Sequence, residues 1–319
     1  MHPEEHLTVD HDLEFLGFTI SKEEGADGPC LYLDQADATR ELLSGFARES
    51  LPYKGSPVPS KLLFGSDVTA CTANAAAIYK HTVGVLNFLS RTVRYDIAFS
   101  VSRLSRKMDC PDVGAWKAML HLLGYLRATV EFRIGGSIAS AQDAFHFYVD
   151  SDHAADRELN SRSQSGLLIF LNSFPVDWVS RRQPVTAVSP AEAEIYAMRE
   201  GVVHGRLAQW VAEEMGLSVA WPFVLQSDST QAVSFQKATA PKTKMRGCFD
   251  LREQSVVELR DQGIVTSRHI PRDLNVSDML THCLAGPNFR QCLSRAQNFR
   301  SYSCRGACVL TYSHSVQLS

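Results

Sequence analysis

The sequence predicts a mixed α/β fold, a sheet flanked by helices and preceded by a mainly helical segment. Three observations lead there. From residue 145 onward, short apolar runs of strand length follow one another, first as a meander and then separated by helical patterns. Between 75 and 130, apolar residues recur at helical spacing. Between the meander and the later strands, Ser189-Pro190-Ala191-Glu192 forms a well-marked helix start.

Taken in order, LEFLGFTI is an apolar run of strand length, SKEEGADG a charged turn and CLYLD a short strand. Asp34 can cap a helix over DQADATRELLSGF, with Leu42, Leu43 and Phe46 on one face. Residues 50–75 are rich in proline and small polar residues and read as a linker or an extended wrapping segment. AAAIYKHTVGVLNFLSRTV, DIAFSVSRLSRKM and PDVGAWKAMLHLLGYLRAT read as three helices, the third opened by Pro111. Arg103, Arg106 and Lys107 form a basic patch, read as a solvated face.

FHFYVD, SGLLIFLN and FPVDWVS are the strands of the meander. In the helix after Ser189, the expected inner face is Ile195, Met198, Val202, Ala208, Val211 and Met215, and Gly216 stops it. WPFVLQSD is a strand, STQAVSFQKA a short helix, CFDLREQSVVELRDQG a helix, GIVTSRHIP a strand and NVSDMLTHCL a last helix opened by Asn275. The residues after about 286 have no usable periodicity.

Composition narrows the function. With 319 residues and 45% hydrophobic residues, a sizeable core is available. A net charge of −3 gives no global signature of nucleic-acid binding, so any such surface must be local. No stretch is long and apolar enough to span a membrane, and MHPEEH does not begin a signal peptide, so an intracellular location is expected. The eight cysteines are then expected as free thiols.

Four acids stand at predicted element boundaries: Asp150, Glu194, Asp228 and Asp278. Each alone suits an ordinary cap, turn or exposed helix position. Together they suggest one acidic cluster at one end of the sheet, able to hold Mg²⁺ through oxygen ligands. Two such ions would activate a water and steady the leaving oxygen of a phosphodiester.

YVDSDHAAD, RSQSG, DWVSRRQ, AVSPAEAEIYA, SDSTQA and NVSDMLT, in this order, resemble the RNase H domain at the end of copia-type retrotransposon Pol polyproteins. Tyr79…Val83-Gly84…Leu86, TVRYDIAFSVSRLSR and WKAMLHLLGYLRAT resemble the helical connection before it, and FLGFTI the end of the reverse transcriptase. The resemblance implies an RNase H-like mixed five-stranded sheet. It divides the chain into a reverse-transcriptase remnant and linker (1–70), a helical connection (71–140), the RNase H-like domain (141–287) and an irregular tail (288–319).

It also implies a ribonuclease H that cuts the RNA strand of RNA–DNA hybrids, with two Mg²⁺, or Mn²⁺ in their place. Asp150, Glu194, Asp228 and Asp278 would be both catalytic residues and metal ligands. Arg162, Ser163, Ser165, Arg181, Arg182, Gln183, Lys242, Lys244 and Arg246 are expected to meet the substrate, with Lys237 beside the last three. The expected partners are the hybrid and the rest of a Pol polyprotein, not a membrane. No polymerase aspartate pair precedes FLGFTI, so no reverse transcription is expected from this chain alone.

Two stretches depart from the family pattern. Arg246–Arg252 carries Cys248 where the family has histidine, and SDMLTH carries His282 where the family has lysine. A competing reading is a silent retrotransposon remnant that at most binds nucleic acid. A third is a zinc module built on Cys304, Cys308 and His314, although their spacing fits no established zinc pattern.

Overall fold

The computed structural model of the chain describes residues 7–9, 11–25, 28–47, 50–59, 67–137, 144–156, 161–217, 219, 222–237, 251–284 and 286–297. Strands β5 (Phe145–Asp156), β6 (Arg162–Leu171), β7 (Phe174–Arg182), β8 (Phe223–Ser227) and β9 (Val265–His269) form a five-stranded sheet of order β7-β6-β5-β8-β9. β5, β6 and β7 are antiparallel neighbours, whereas β8 runs parallel to β5 and β9 parallel to β8. Three meandering strands with two parallel additions make up the mixed five-stranded sheet that was expected.

Side-chain alternation explains why both faces are covered. Phe147, Val149, Leu167 and Ile169 share one core with Ile195, Met198 and Val202 of α5 (Pro190–Glu214), with Ala232 and Val233 of α6 (Thr230–Lys237) and with Val256 of α7 (Leu251–Asp261). Tyr148, Leu168 and Phe170 face the opposite way, into a core built by α2 (Ala73–Thr92), α3 (Ala98–Ser105) and α4 (Val113–Ala128). A strand buried on both sides needs a continuous apolar run, and β6 supplies it as Leu167-Leu168-Ile169-Phe170.

The segment before the sheet is more than a helical preface. β1 (Leu13–Phe15), β2 (Phe18–Gly25), β3 (Gly28–Asp34) and β4 (Arg133–Ser137) form a second, fully antiparallel sheet in that order. The expected SKEEGADG turn is therefore strand as far as Gly25. A ribbon with one face in water tolerates its charges, and Glu23 pairs with Arg133. β4 escapes sequence reading because Gly135-Gly136 lowers strand propensity. The pairing of β3 with β4 ties β1, β2 and β3 to the chain that follows α4. α1 (Ala36–Ser44) forms where the DQADATRELLSGF pattern put it. Leu51 and Val58 are buried, so the described part of 50–75 wraps the helices.

Further expectations need correction. Asp112, not Pro111, opens α4, because its carboxylate accepts from Ala115 N at 2.7 Å. The Arg103, Arg106 and Lys107 patch is not a solvated face: Arg103 is buried, Arg106 donates to Gln164 and Lys107 pairs with Asp112. On α5, Val211 and Met215 are exposed, and the inner face continues through Gly201, Gly205 and Ala212 instead. A Cβ on Gly205 would lie 2.7 Å from Phe223 Cζ, so the helix lies too close to the sheet for larger residues there. Val276–Leu280 is a 3-10 turn rather than an α-helix. Gly286–Gln297 is a helix, α8, whose Phe289, Cys292, Leu293 and Ala296 are buried, so the tail is not irregular over 288–297.

The helical layer is held by a buried ion pair. Arg94 is 1% exposed; its Nε donates to Asp96 Oδ1 at 2.9 Å and its Nη2 to Asp96 Oδ2 at 2.8 Å. Thr129 O and Oγ1 accept from the same guanidinium, and Tyr125 OH donates to Asp96. Both charges thus leave water only with their hydrogen bonds satisfied. Replacing Asp96 with Ala strands the guanidinium and is expected to cost about 3–5 kcal/mol of unfolding free energy, read by urea denaturation; a loss below about 1 kcal/mol, the range of an exposed pair, would contradict this assignment.

Candidate active site

Asp150 does not end its strand as expected: it lies midway along β5, which runs on to Asp156, and is 3% exposed. Pairing sets its position: Asp150 stands opposite Gly166 of β6. Gly166 lets the 3-10 turn rest directly on the sheet, since a Cβ there would meet Thr281 Cγ2 at 2.7 Å and Ser277 O at 3.0 Å. The turn brings Thr281, whose hydroxyl donates to Asp150 Oδ2, and Asp278, the acid within it.

Asp228 follows β8. Asn275 Nδ2 donates both to Asp228 Oδ1 at 3.2 Å and to Val149 O at 3.1 Å, joining the acid to the neighbouring strand. Glu194 sits in the second turn of α5, a helix capped by Ser189, whose Oγ accepts from Glu192 N at 3.2 Å. Glu192 itself accepts from Val188 N, one residue before the cap.

The electrostatics indicate crowding. Burial, reinforced by the charges of Asp150 and Asp228, pushes the Glu194 carboxyl up to about 9. Burial and Asp150 push Asp278 up to about 7. Burial also raises Asp150, against the opposing influence of His282 and the Thr281 hydroxyl. Glu194 Oε2 and Asp278 Oδ1 are buried with no hydrogen-bond partner. Buried acceptors that lack a donor and repel one another suit a hard divalent cation, so the donor set fits Mg²⁺. Asp150, Asp278 and His282 each offer a ligand atom, all within 4.8 Å of one another.

Three groups here escaped the sequence reading. His282 Nδ1 lies 3.3 Å from Asp152 Oδ2, and its Nε2 lies 3.6 Å from Asp150 Oδ2. Burial disfavours the imidazolium, but the Asp152 hydrogen bond and the charges of Asp150, Asp152 and Asp278 outweigh it and raise its pKa. Arg272 Nε stands 3.7 Å from Asp278 Oδ2. His269 Nε2 is 3.1 Å from Asp228 O. The only signal for His282 was its place in SDMLTH; nothing in the spacing pointed to Arg272 or His269.

The expected substrate contacts fare unevenly. Ser163, Ser165 and Gln183 are fully buried: Gln183 Nε2 donates to Ser165 Oγ and to Ala193 O, and Ser163 Oγ accepts from Ala154 N. They link β5, β6 and α5, and their side chains are closed off from solvent. Arg181 is held by the buried Glu200 at 2.6 Å. Arg162 and Arg182 are half-buried. Lys237 ends α6. Lys242, Lys244 and Arg246 lie outside the described residues, as do Cys248, Cys304, Cys308 and His314.

No family model matches the chain. Over 289 residues, 88% of its length, it is 27% identical to a retrovirus-related Pol polyprotein from transposon TNT 1-94 of Nicotiana tabacum. It is 29% identical over 161 residues to the Pol polyprotein from transposon RE2 of Arabidopsis thaliana, covering 48% of this chain. The chain spans only 21% and 10% of these two proteins. It is also 34% identical over 122 residues to the secreted RxLR effector protein 161 of Plasmopara viticola, 38% of this chain and 84% of that protein.

Among solved structures, LC11-RNase H1, isolated from compost, overlaps 48% of this chain and 99% of its own, at 14% identity and a TM-score of 0.32. The N-terminal RNase H domain of a Mycobacterium tuberculosis protein overlaps 49% and 99%, at 13% identity and a TM-score of 0.31. Among the described residues no helix is long and apolar enough to cross a membrane.

The raised carboxyl groups fix a pH dependence. A carboxyl whose folded pKa exceeds its unfolded value binds a proton more tightly in the folded state, so stability falls as pH rises between the two values. For Glu194 that window runs from the ordinary 4.5 to about 9. In EDTA, the melting temperature is expected to fall from pH 5 to pH 9, with a contribution of a few kcal/mol at about 1.4 kcal/mol per pKa unit. Glu194→Gln should flatten that slope, and millimolar Mg²⁺ should reduce it. A slope that the variant leaves unchanged would show that Glu194 is not held in this state.

Proposed function

We propose that the five-stranded domain of this chain, which is similar to copia-type retrotransposon Pol polyproteins, is a metal-dependent ribonuclease H that cuts the RNA strand of RNA–DNA hybrids. The observation that carries this reading is the convergence of Asp150, Asp278 and His282 at one sheet end, with Asp228 and Glu194 electrostatically coupled to them. Two of these acids, Glu194 and Asp278, keep buried oxygens without donors.

Asp150, Glu194, Asp228 and Asp278 would hold two Mg²⁺. Bound there, the ions would lower the pKa of a water and take up charge on the leaving oxygen. The chain's own groups prepare the site. Thr281 fixes the Asp150 carboxylate through its hydroxyl, and Asn275 fixes Asp228 while anchored on β5. Both hold a ligand oxygen in one orientation, which lowers the reorganisation needed at the reacting centre.

Arg272, with its side chain 68% exposed beside Asp278, is suited to meet a phosphate of the substrate. Arg162 and Arg182, at the same end of β6 and β7, remain candidates for the same role. The hybrid would be recognised chiefly through phosphates, sugars and the ribose 2′-OH. The remainder of a Pol polyprotein is the natural source of that hybrid.

The test is cleavage of an end-labelled RNA annealed to DNA, in Mg²⁺ and then Mn²⁺, beside the Asp150→Asn protein. RNA-strand cuts that drop at least ~10³-fold in the variant are expected, the scale of losing a preorganised charge at the reacting centre. A folded wild-type protein that leaves the RNA intact would overturn the nuclease reading and make the chain a silent remnant. Arg272→Ala should weaken hybrid binding about 3- to 10-fold, the size of one phosphate contact near 1 kcal/mol, as read by fluorescence anisotropy.

A further inference from the structure

The inference concerns His282 and rests on the metal-dependent reading of the same cluster. We propose that His282 Nε2 is a direct metal ligand alongside Asp150 and Asp278, with Asp152 as the carboxylate that orients it, so that the site prefers Mn²⁺ to Mg²⁺.

Geometry carries this. The imidazole has two ring nitrogens with separate tasks. Nδ1 lies 3.3 Å from Asp152 Oδ2, so its proton belongs on that side. Nε2 then faces Asp150 Oδ2, 3.6 Å away, and is the nitrogen that an ion displacing its proton would bind. A carboxylate behind one nitrogen, with the other nitrogen turned to the acids, is the arrangement that metal-binding histidines use. Two ligand atoms at about 2.0–2.3 Å from one ion lie roughly 3 Å apart when adjacent and a little over 4 Å apart when opposed. The cluster's ligand atoms all lie within 4.8 Å, so sub-ångström shifts bring them onto one ion.

The imidazole is not mobile surface. Its side chain is 24% exposed, and it follows the 3-10 turn that Gly166 seats on the sheet. Arg272 Nη2 stands 3.5 Å from Nε2 and its Nε 3.7 Å from Asp278 Oδ2, so this largely exposed side chain must turn away from Nε2 when an ion binds.

The chemistry follows from ligand type. Mg²⁺ is hard, keeps its waters and prefers oxygen. Nitrogen from an imidazole suits transition ions better, so replacing an all-oxygen set with one that includes His282 shifts preference toward Mn²⁺. Asp152, which holds no ion in this scheme, becomes a positioning residue.

The test uses Mn²⁺ as probe on the full chain. Electron spin echo spectroscopy of the Mn²⁺-loaded protein should show ¹⁴N coupling from a directly bound imidazole, and that coupling should vanish in His282→Ala. By calorimetry, His282→Ala should lower Mn²⁺ affinity ~10- to 100-fold while changing Mg²⁺ affinity less than ~3-fold, and Asp152→Asn should lower Mn²⁺ affinity in the same direction. The wild-type spectrum needs no variant, so the test stands even if a substitution fails to fold. Mn²⁺ that binds in an Asp150-dependent manner without ¹⁴N coupling, or with coupling that survives in His282→Ala, would overturn the inference and leave the nuclease reading intact. Failure to bind either ion would overturn both.

Discussion

Repulsion among buried carboxylates governs one whole end of this molecule. Asp150 and Asp278 sit close together with little water to screen them, and Glu194 and Asp228 add to the same field. Charge in such a place must be neutralised by protons, by basic side chains or by ions. The fold supplies some of each: raised carboxyl pKa values, the His282 imidazole and the Arg272 guanidinium. The surrounding structure then resists relaxation. Thr281, Asn275 and the close seat at Gly166 prevent the acids from moving apart.

Much of the fold was legible because the strands of the main sheet carry strong local signals. Leu167–Phe170 is apolar without interruption, and a strand covered on both faces requires that. Ser189 and Pro190 mark the start of α5 without help from tertiary structure. The failures have a common cause, which is context. Gly135-Gly136 forms strand only because β3 offers its edge. Val211 and Met215 satisfy helical periodicity but project beyond the sheet, while Gly205 faces inward because Phe223 leaves no room. Asn275 signals a helix start, yet the turn it caps tightens to 3-10 geometry against β6.

The candidate site was legible as a set of acids and not as an environment. Asp228 just after β8, Glu194 early in α5 and Asp278 in the last turn lie near boundaries that a linear reading can find, whereas Asp150 lies midway along β5. Their burial cannot be read that way, because it depends on Gly166 and on the turn from the far end of the chain. The residues expected to meet substrate illustrate the converse. Ser163, Ser165 and Gln183 belong to the same motifs as Arg162, Arg181 and Arg182, yet they are buried, the two serines because β6 is covered on both faces. A motif records that a residue matters without saying whether it faces a ligand or a neighbour.

The core that contains Tyr148, Leu168 and Phe170 also contains Leu42, Leu86, Leu122, Phe289 and Leu293. During synthesis the first of these leaves the ribosome long before the last. The Tyr125 face of α4, against which Phe289 packs, therefore stays uncovered until α8 has been made. Such an order of events delays closure of the core and lengthens the interval in which the nascent chain can associate with others. Interior residues at its far end thus bear on the yield of folded protein, although they touch neither the acids nor any substrate.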